Sequence, residues 1–452
     1  MTDVTVLGAG GATVTIALSS ADNAAAAQTA VNVINAMTKT GLMEMQLHTG
    51  AGSLPAPQNF LAGAVFEGTG SSGGSGDQYV FFGATGQGQN IIGGGANFRT
   101  VVVAGNGSDL VYANSSRDAQ VWLGKNNGGV ANYEGKVTMV TEGGTNWLAS
   151  EAGTTSLVTL AAGGTLQVGD LEGNDGKHTM GAATVNAAAD STVLVYGQTT
   201  TVGTVINLQG DGVTVALEGS GSALINPGSH KSIVFGDPDG GLGAATLFGG
   251  SGSHEVYYGQ GLFIGGSAGG NIMFSSTVAG SATLRAGSSA TSKADLLAAG
   301  GEGQVLDAGA GNATLIATAD FGATGGSTFI IGAAKVNATG FDLGGNTFNV
   351  SGGAHSETFI DGRDTDAEGT QLGNQYFDLG TTGGTVLVSD FISGLDTFQV
   401  TKDFNIFFFA QSETQETETT LLVVTGGATY AFFDASADGV QDIFNTDVTK
   451  VG

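Results

Sequence analysis

The sequence has no cysteine, only 4 prolines and only 13 basic residues in a chain of 452. Without cysteine the chain forms neither disulfides nor the thiolate sites that hold structural zinc. The 40 acidic residues bring the formal net charge to −27. A charge of this sign argues against nucleic acid and anionic membrane surfaces as partners. The scarcity of proline and the lack of a strict Gly-X-Y triplet exclude collagen.

Long apolar runs are also missing from the sequence. No stretch reaches the roughly 18 apolar residues of a membrane-spanning helix, so we expect no membrane insertion. The first twenty residues lack a basic segment followed by a continuous apolar core. We therefore expect no cleaved signal peptide.

Glycine is what the sequence has in abundance. It supplies 80 residues, while 41% of the chain is hydrophobic and 12% is charged, a balance that does not favour disorder. Residues 73–95 read GGSGDQYVFFGATGQGQNIIGGG, in which glycine corners alternate with short apolar runs. Glycine pairs recur from about residue 63 to 384, several at intervals of roughly 16 to 20 residues, which is the length of a coil with two strands and two turns. The pattern predicts an all-β fold, an elongated parallel β-roll or β-solenoid.

The sequence divides into three predicted regions. Residues 1–62 contain a strand pair and an alanine-rich amphipathic helix over Ala21–Lys39, which we expect to act as a cap or a docking element. Ser20 or Asp22 is the predicted N-cap and Gly41 the stop. Residues 63–384 form the solenoid, and 385–452 form a C-terminal β subdomain. Strands are predicted within the solenoid over Thr100–Val103, Ser156–Leu160, Thr192–Tyr196, Val213–Leu217 and Thr328–Ile331.

Several glycine corners share one template. Two glycines, a variable residue and a third glycine precede a polar pair, a variable residue and a large apolar residue. The template fits Gly73–Val80, Gly249–Val256 and Ala104–Val111, and more loosely Gly352–Phe359. These corners resemble the nonapeptide of the repeats-in-toxin (RTX, haemolysin-type) family, whose glycine and aspartate turns hold calcium between successive coils. The resemblance implies a parallel β-roll and candidate calcium ligands at Asp77 and Asp109.

The sequence departs from the family pattern at the ligand position. The aspartate is retained at Asp109, but the equivalent position elsewhere holds Gln78, His254, Glu357 or Gly270. Calcium needs oxygen ligands from consecutive turns. We therefore expect few or no ions between these coils, and solvated turn carboxylates are the alternative interpretation.

A second resemblance lies towards the C-terminus. Val388–Phe398 looks like the strand-turn-strand that follows the repeats in serralysin-type and other type I secreted proteins, and Asp434–Asp442 looks like the acidic loop near their ends. The spacing of oxygen side chains before Gly439 also suits a hard cation. Candidate calcium ligands here are Asp434, Ser436, Asp438 and Asp442; a plain hairpin turn is the alternative. The resemblance implies type I export through an uncleaved signal in residues 385–452 and a secreted or cell-surface location.

No catalytic motif stands out. The histidines lie outside any HExxH pattern, and the glycine-serine segments do not precede a helix as a nucleophile elbow does. The densest charged cluster in the repeats comprises Asp361, Arg363, Asp364 and Asp366, which is either a polysaccharide-processing groove or a solvated loop. Trp122 and Trp147 are interpreted as packing residues, with sugar platforms as the alternative.

These features predict a secreted bacterial structural protein rather than an enzyme. We expect it to self-assemble into an extracellular filament, surface layer or biofilm matrix, with itself and extracellular polysaccharide as partners. The first alternative is an adhesive glycan- or ice-binding module that uses a threonine-rich face such as Thr199–Thr204. The second is a polysaccharide lyase or epimerase.

Overall fold

The protein is nearly all β, and its strands form a parallel β-solenoid with one helix and a small antiparallel sheet towards the C-terminus. The computed structural model describes residues 2–7, 13–18, 21–48, 52–54, 61–66, 70–73, 78–83, 89–93, 99–104, 108–114, 117–169, 179–196, 198–199, 203–219, 221–237, 243–287, 293–317, 326–332, 335–340, 345–350, 355–361, 375–379, 384–389, 396–400, 404–410, 419–425, 428–433 and 448–450. The predicted fold class is confirmed.

Two compact units divide the chain. The N-terminal unit comprises Met1–Asn226 and Gly241–Gly243, and the C-terminal unit comprises Pro227–Gly240 and Ala244–Gly452. Among the described residues, no helix is long and apolar enough to cross a membrane.

The N-terminal unit contains the helix and the first 23 strands. Their bounds are β1 Thr2–Leu7, β2 Thr13–Leu18, α1 Ala21–Lys39, β3 Glu44–His48, β4 Gly52–Leu54, β5 Leu61–Phe66, β6 Gly70–Gly73, β7 Gln78–Gly83, β8 Gln89–Gly93, β9 Arg99–Ala104, β10 Ser108–Asn114, β11 Ala119–Trp122, β12 Gly128–Glu134, β13 Lys136–Val140, β14 Thr145–Ser150, β15 Thr155–Leu160, β16 Thr165–Gly169, β17 Thr179–Met180, β18 Ala182–Ala187, β19 Thr192–Val195, β20 Gln198–Thr199, β21 Thr204–Leu208, β22 Val213–Leu217 and β23 Ala223–Asn226.

The C-terminal unit contains the remaining strands. Their bounds are β24 Ser232–Phe235, β25 Ala245–Leu247, β26 His254–Gly259, β27 Gly261–Ile264, β28 Ile272–Ser275, β29 Ala282–Arg285, β30 Asp295–Ala298, β31 Val305–Asp307, β32 Ala313–Ile316, β33 Thr328–Ile330, β34 Val336–Thr339, β35 Thr347–Asn349, β36 His355–Asp361, β37 Tyr376–Leu379, β38 Gly384–Ser389, β39 Thr397–Val400, β40 Phe404–Ala410, β41 Thr419–Thr425, β42 Ala428–Phe433 and β43 Val448–Lys450.

Each unit contains two long parallel sheets. As the chain winds, it adds one strand to one sheet and the next strand to the other. Sheet 1A of the N-terminal unit contains β4, β6, β8, β10, β12, β14, β16, β19 and β22. Sheet 1B contains β3, β5, β7, β9, β11, β13, β15, β18, β21 and β23. Sheet 2A of the C-terminal unit contains β24, β26, β28, β30, β32, β34, β36, β38 and β42. Sheet 2B contains β25, β27, β29, β31, β33, β35, β37, β39 and β43.

Aliphatic side chains fill most of the described interior of the N-terminal unit, which also contains the buried Phe81. Residues alternate along each strand between buried and partly exposed, as in β14, because successive side chains point to opposite faces of a sheet. The in-register pairing stacks the buried ones into columns. The column in sheet 1B runs through Val121, Met139, Val158, Val185, Ile206 and Ile225, all fully or almost fully buried.

In sheet 2B of the C-terminal unit, most residues of the equivalent column are phenylalanine. This column runs through Leu247, Phe263, Leu284, Leu306, Phe329, Phe348, Phe377 and Phe398, all fully buried. The ring centroids of Phe329 and Phe348 lie 4.7 Å apart, and those of Phe348 and Phe377 lie 5.2 Å apart. The predicted narrow apolar interior is therefore present, and part of it is a stack of aromatic rings.

Helix α1 has the predicted bounds, and its C-terminus ends as the sequence indicates. Gly41 adopts a left-handed conformation with φ of 69°. The amide of Leu42 donates to the Met37 carbonyl at 2.9 Å, and the amide of Gly41 donates to the Thr38 carbonyl at 3.2 Å. This pair of bonds is a Schellman motif, which glycine favours because it has no Cβ to oppose a positive φ.

The helix and the antiparallel pair β1–β2 dock on the outward side of sheet 1B. Val31 and Ile34 of the helix belong to one buried cluster with Val101 and Val103 of β9, against which Trp122 packs. In β9, the intervening Val102 lies in register with the interior residue Val121, so Val101 and Val103 face outward. The element therefore covers the side of the sheet, which is the docking alternative of the prediction.

The parallel coils begin and end at different residues from those that the glycine pattern predicts. They begin at β3, before the predicted start at residue 63. At the other end, β38 and β39 still pair in parallel with the preceding coils, so the predicted boundary at 384/385 falls inside β38. The small sheet arises where β41 pairs antiparallel with both β42 and β40.

Candidate functional site

Most of the predicted calcium ligands lie outside the described residues. Asp77 and the loop residues Asp434, Ser436, Asp438 and Asp442 are among these, so their proposed role stays a prediction. Asp109 is described. It lies in β10 with only 2% of its surface exposed, which differs from a solvated turn carboxylate.

Asp109 has no acidic neighbours in its column. The registers of β10, β12 and β14 place Gly128 and then Asn146 at the equivalent position of the next coils. Calcium prefers several carboxylate and carbonyl oxygens around one point. Within the described part of the chain, no group of three or more His, Cys, Asp or Glu side chains is arranged to hold a metal ion. Calcium at Asp109, which the RTX resemblance implies, therefore stays a prediction.

His254 occupies the ligand position of a second template copy and joins successive coils by hydrogen bonds. Its Nδ1 lies 3.0 Å from Ser232 Oγ in the preceding coil, and its Nε2 lies 2.9 Å from the Gly249 carbonyl oxygen in its own turn. Its main-chain amide donates to Asn271 Oδ1 in the following coil at 2.8 Å. Burial lowers the pKa of His254 below its ordinary value of 6.5, although the Gly249 carbonyl and the charge of Asp295 oppose that shift.

The same column continues through Asn271 to Asp295. Asn271 Oδ1 also accepts the amide of Gly266 at 3.0 Å, and Asn271 Nδ2 donates to Asp295 Oδ1 at 2.9 Å. Asp295 Oδ2 accepts the amide of Gly287 at 2.7 Å. We call Ser232, His254, Asn271 and Asp295 column A. Its side chains bond the main-chain groups of the turns in the interior, where unpaired groups are costly.

Sheet 2B carries a matching set, which we call column B. It consists of buried polar residues that immediately precede successive strands, namely Gln304, Ser327, Asn346, Gln375 and Asp396. Main-chain amides donate to three of them: Ala282 to Gln304 Oε1 at 2.8 Å, Ser327 to Asn346 Oδ1 at 2.9 Å, and Gln375 to Asp396 Oδ1 at 2.8 Å. Column B links neighbouring coils.

Ser232 and His254 are residue types that can act as a nucleophile and its base, but neither side chain is accessible to a substrate. Ser232 is 2% exposed and His254 is fully buried. A substrate carbonyl cannot approach Ser232 Oγ in this arrangement, whereas covalent catalysis requires contact with the nucleophile. The geometry instead supports a structural role for the pair.

The structure separates the two tryptophans. Trp122 packs against the cluster under α1. Trp147 lies over Gly129: a Cβ at Gly129 would fall 1.9 Å from Trp147 Cε2, 2.2 Å from Nε1 and 2.4 Å from Cδ2. Three atoms of the fused ring at these distances mean that the face of the indole covers Gly129. A cavity of about 450 Å³ opens beside the ring, lined also by Ser108, Asp109, Leu110 and Asn127.

The charged cluster at residues 361–366 and the threonine-rich segment at residues 199–204 lie only partly within the described residues. Asp361 ends β36, whereas Arg363, Asp364 and Asp366 lie outside the described residues. Of the threonine-rich segment, Thr199 lies in β20, and Thr204 is fully buried rather than part of an outward face. The described outward column Thr145, Thr165, Thr192 and Thr214 runs beside Trp147, Gln167, Leu194 and Ala216, so the surface is of mixed composition.

Sequence reasoning did not identify columns A and B. A local signal exists for several members, since Asn271, Gln304, Ser327 and Asn346 each directly follow a glycine and directly precede a strand. The signal is weak because a polar residue after glycine is equally typical of a solvated turn. No family model matches this sequence, and no curated protein or solved structure shows significant similarity to it.

Proposed function

We propose that the protein is a secreted structural protein whose copies join end to end through strand edges to form an extracellular filament, surface layer or biofilm matrix. The supporting observation is the set of terminal strands. In the part of the chain that the structure describes, β3 pairs only with β5 and β4 only with β6 in the N-terminal unit, and β40 pairs only with β41 in the C-terminal unit. Each of these strands presents main-chain groups that another chain can pair with.

The edge of β1 supports the proposal by contrast. Its Thr5 amide donates to Gln28 Oε1 at 3.2 Å, and Asn35 Nδ2 donates to the Thr5 carbonyl at 3.1 Å. Two side chains of α1 thus bond the main-chain groups of Thr5, which could otherwise pair with another strand. The protein protects this edge, whereas no described strand covers those of β3, β4 and β40.

A structural role also agrees with the chemistry of the interior. Columns A and B bond coil to coil and are buried, so they stabilise the coils rather than contact a substrate. A contact that joins different surfaces of two copies, and does not close into a ring, propagates into a fibre. Type I export and calcium at residues 434–442 remain parts of the proposal that rest on the RTX resemblance.

Electron microscopy of the purified protein tests the assembly directly. The sample is imaged once in calcium and once in a chelator. We expect filaments or sheets whose amount increases with protein concentration. Compact monomers at high concentration in both conditions would contradict the proposal. A difference between the two conditions would assign a role to the predicted loop ligands.

Proline substitutions in β40 provide a matched pair of variants. Consecutive residues of an antiparallel edge strand direct their amides alternately to the partner strand and to the open edge. One of Asn405→Pro and Ile406→Pro therefore removes an amide from the open edge and the other removes one from the β40–β41 pairing. We expect the open-edge variant to keep the β-sheet circular dichroism spectrum while assembly falls.

A further inference from the structure

The indole of Trp147 lies with one face on the sheet, which leaves its opposite face directed away from the strands. Trp147 is in register with Gly129 of the neighbouring coil, and Gly129 has no side chain to separate the ring from the main chain. The indole is half-buried, in keeping with a ring that is covered from one side. Glycine at this position is what permits the close approach of the ring.

Polar groups also line the cavity beside the ring. Ser108 and Asn127 line the same cavity, and Asn127 is exposed and held by a hydrogen bond from the Thr145 amide to its Oδ1 at 2.9 Å. Asp109 and Leu110 also line the cavity, although the alternation along β10 directs the Asp109 side chain to the interior, on the same side as Val111. The volume of about 450 Å³ lies in the range of small-molecule sites. An aromatic platform with polar groups at its rim suits a ligand that has an apolar face and hydroxyl edges.

A second aromatic pair extends the surface next to the cavity. Tyr112 and Tyr133 stack with their ring centroids 6.2 Å apart, and Tyr133 is 39% exposed. Tyr112 lies two residues after Leu110 on β10, so the two side chains point to the same face of the strand. The outward side of sheet 1A therefore carries two more aromatic residues along the same strands, although neither of them lines the cavity.

We infer that this cavity binds one sugar ring of a neutral polysaccharide, with the pyranose C–H face packed on Trp147 and its hydroxyl groups bonded at the rim. The net charge of −27 disfavours acidic polymers, because like charges repel at long range. The inference is independent of self-assembly, since it concerns one coil of the N-terminal unit. With this site, the protein would contact the polysaccharide through the outward side of sheet 1A.

Single-tryptophan fluorescence tests the site. The chain has only two tryptophans, so the Trp122→Phe variant reports on Trp147 alone. Cellohexaose, chitohexaose, xylohexaose and maltohexaose are titrated into this variant, and the cognate polymers are used in affinity electrophoresis. We expect at least one sugar series to shift the Trp147 emission and to retard the protein. The absence of both effects with every probe overturns the inference.

Two variants then locate the binding. Trp147→Ala removes the platform, and Gly129→Ala displaces the ring because the new Cβ would lie 1.9 Å from Trp147 Cε2. We expect each to weaken binding at least tenfold, while Trp147→Phe retains part of it. Leu194→Ala serves as the control, since Leu194 lies in the same outward column two coils along and does not line the cavity. Binding that survives both Trp147→Ala and Gly129→Ala overturns the inference, as does binding that Leu194→Ala abolishes.

The variants are compared in circular dichroism to show that each remains folded. Assembly is measured separately by electron microscopy, so a loss of sugar binding and a loss of filaments are distinguishable. Sugar binding by unassembled protein supports the site whether or not filaments form.

Discussion

The two units use the same coil architecture with different interiors. In sheet 1B the central column contains one phenylalanine, Phe81, and is aliphatic from Val102 to Ile225 apart from Met139, whereas in sheet 2B much of the same column is phenylalanine. Adjacent strands lie about 4.8 Å apart, which is close to the stacking distance of aromatic rings. Parallel strands in register therefore turn identical positions into stacks, and the fold accepts either type of side chain.

The two units can also be compared by their columns of polar residues. In the C-terminal unit, columns A and B are inside and accept main-chain amides from the turns. In the N-terminal unit, Asn186, Asn207 and Asn226 form a half-buried column on the outward side of sheet 1B, with side-chain hydrogen bonds of 3.1 and 3.0 Å. The N-terminal unit also bonds a turn from within, since the buried Asn146 donates to the Gly143 carbonyl at 2.7 Å, so its asparagine column adds bonds along the surface to those inside.

The largest expected effect is at Phe348, which stacks on two rings. Phe348→Ala should lower the free energy of unfolding by about 3–5 kcal/mol, since it leaves a cavity and removes both stacking contacts. Hydrogen exchange of the β33, β35 and β37 amides measures the change. Ile206→Val in the N-terminal unit is the comparison, with an expected loss of about 0.5–1.5 kcal/mol. A loss at Phe348→Ala no larger than that at Ile206→Val would show that the stacked rings contribute little to stability.

Asn271→Ala should have the next largest effect. It leaves the buried amides of His254 and Gly266 without their acceptor, at about 1–3 kcal/mol for each group that stays unpaired, whereas Asp295 Oδ1 still accepts the main-chain amide at position 271. Denaturant unfolding followed by hydrogen exchange in β26, β28 and β30 checks this. An unchanged midpoint would show that column A contributes nothing to the stability of the turns.

The buried imidazole of His254 should make the stability of the C-terminal unit depend on pH. Because burial lowers its pKa in the folded state, the unfolded chain takes up the proton first as the pH falls below 6.5. The contribution of the neutral imidazole is therefore complete above that pH and declines below it. Unfolding of the wild type and of His254→Gln between pH 8 and pH 5 gives the test.

The wild type should lose more stability on acidification than His254→Gln does. Burial raises the pKa of Asp378, which acts in the opposite direction in acid, but this contribution is common to both proteins and cancels in their difference. Parallel pH profiles would exclude His254 as the titrating group.

The smallest expected effect is at Asn207, in the middle of the outward asparagine column. Asn207→Ala removes two side-chain hydrogen bonds that water can replace, so the loss should stay below about 1 kcal/mol. Thermal unfolding is sufficient to measure it. A loss as large as that of Asn271→Ala would mean that the outward column is as important as the interior ones.

Local patterns in the sequence predict much of the fold. The alternation of apolar residues predicts Val213–Leu217 as a strand, and β22 has those bounds. The three-and-four spacing predicts α1 with its observed bounds, and Gly41 predicts its end. These predictions succeed because the periods of strands and helices, and the conformational freedom of glycine, are properties of short segments.

The candidate sites were harder to predict, for a physical reason. The cavity beside Trp147 depends on the register that places its indole over Gly129, and a shift of one residue would turn the ring to the interior. Column A depends in the same way on which turns become neighbours. Its members His254, Asn271 and Asp295 are separated by loops of different lengths, so no fixed sequence interval marks them.

By itself the amino-acid sequence determined that short β-strands alternate with glycine corners, that one amphipathic helix forms, and that the apolar residues face one side of each strand. Only the tertiary structure decided that the helix packs on the outward side of sheet 1B, that His254 bonds three consecutive coils, and that Trp147 lies flat beside a cavity while Trp122 is a packing residue. The reason is that strand and helix periods are set by neighbours along the chain, whereas contacts between coils are set by the register of residues far apart in sequence.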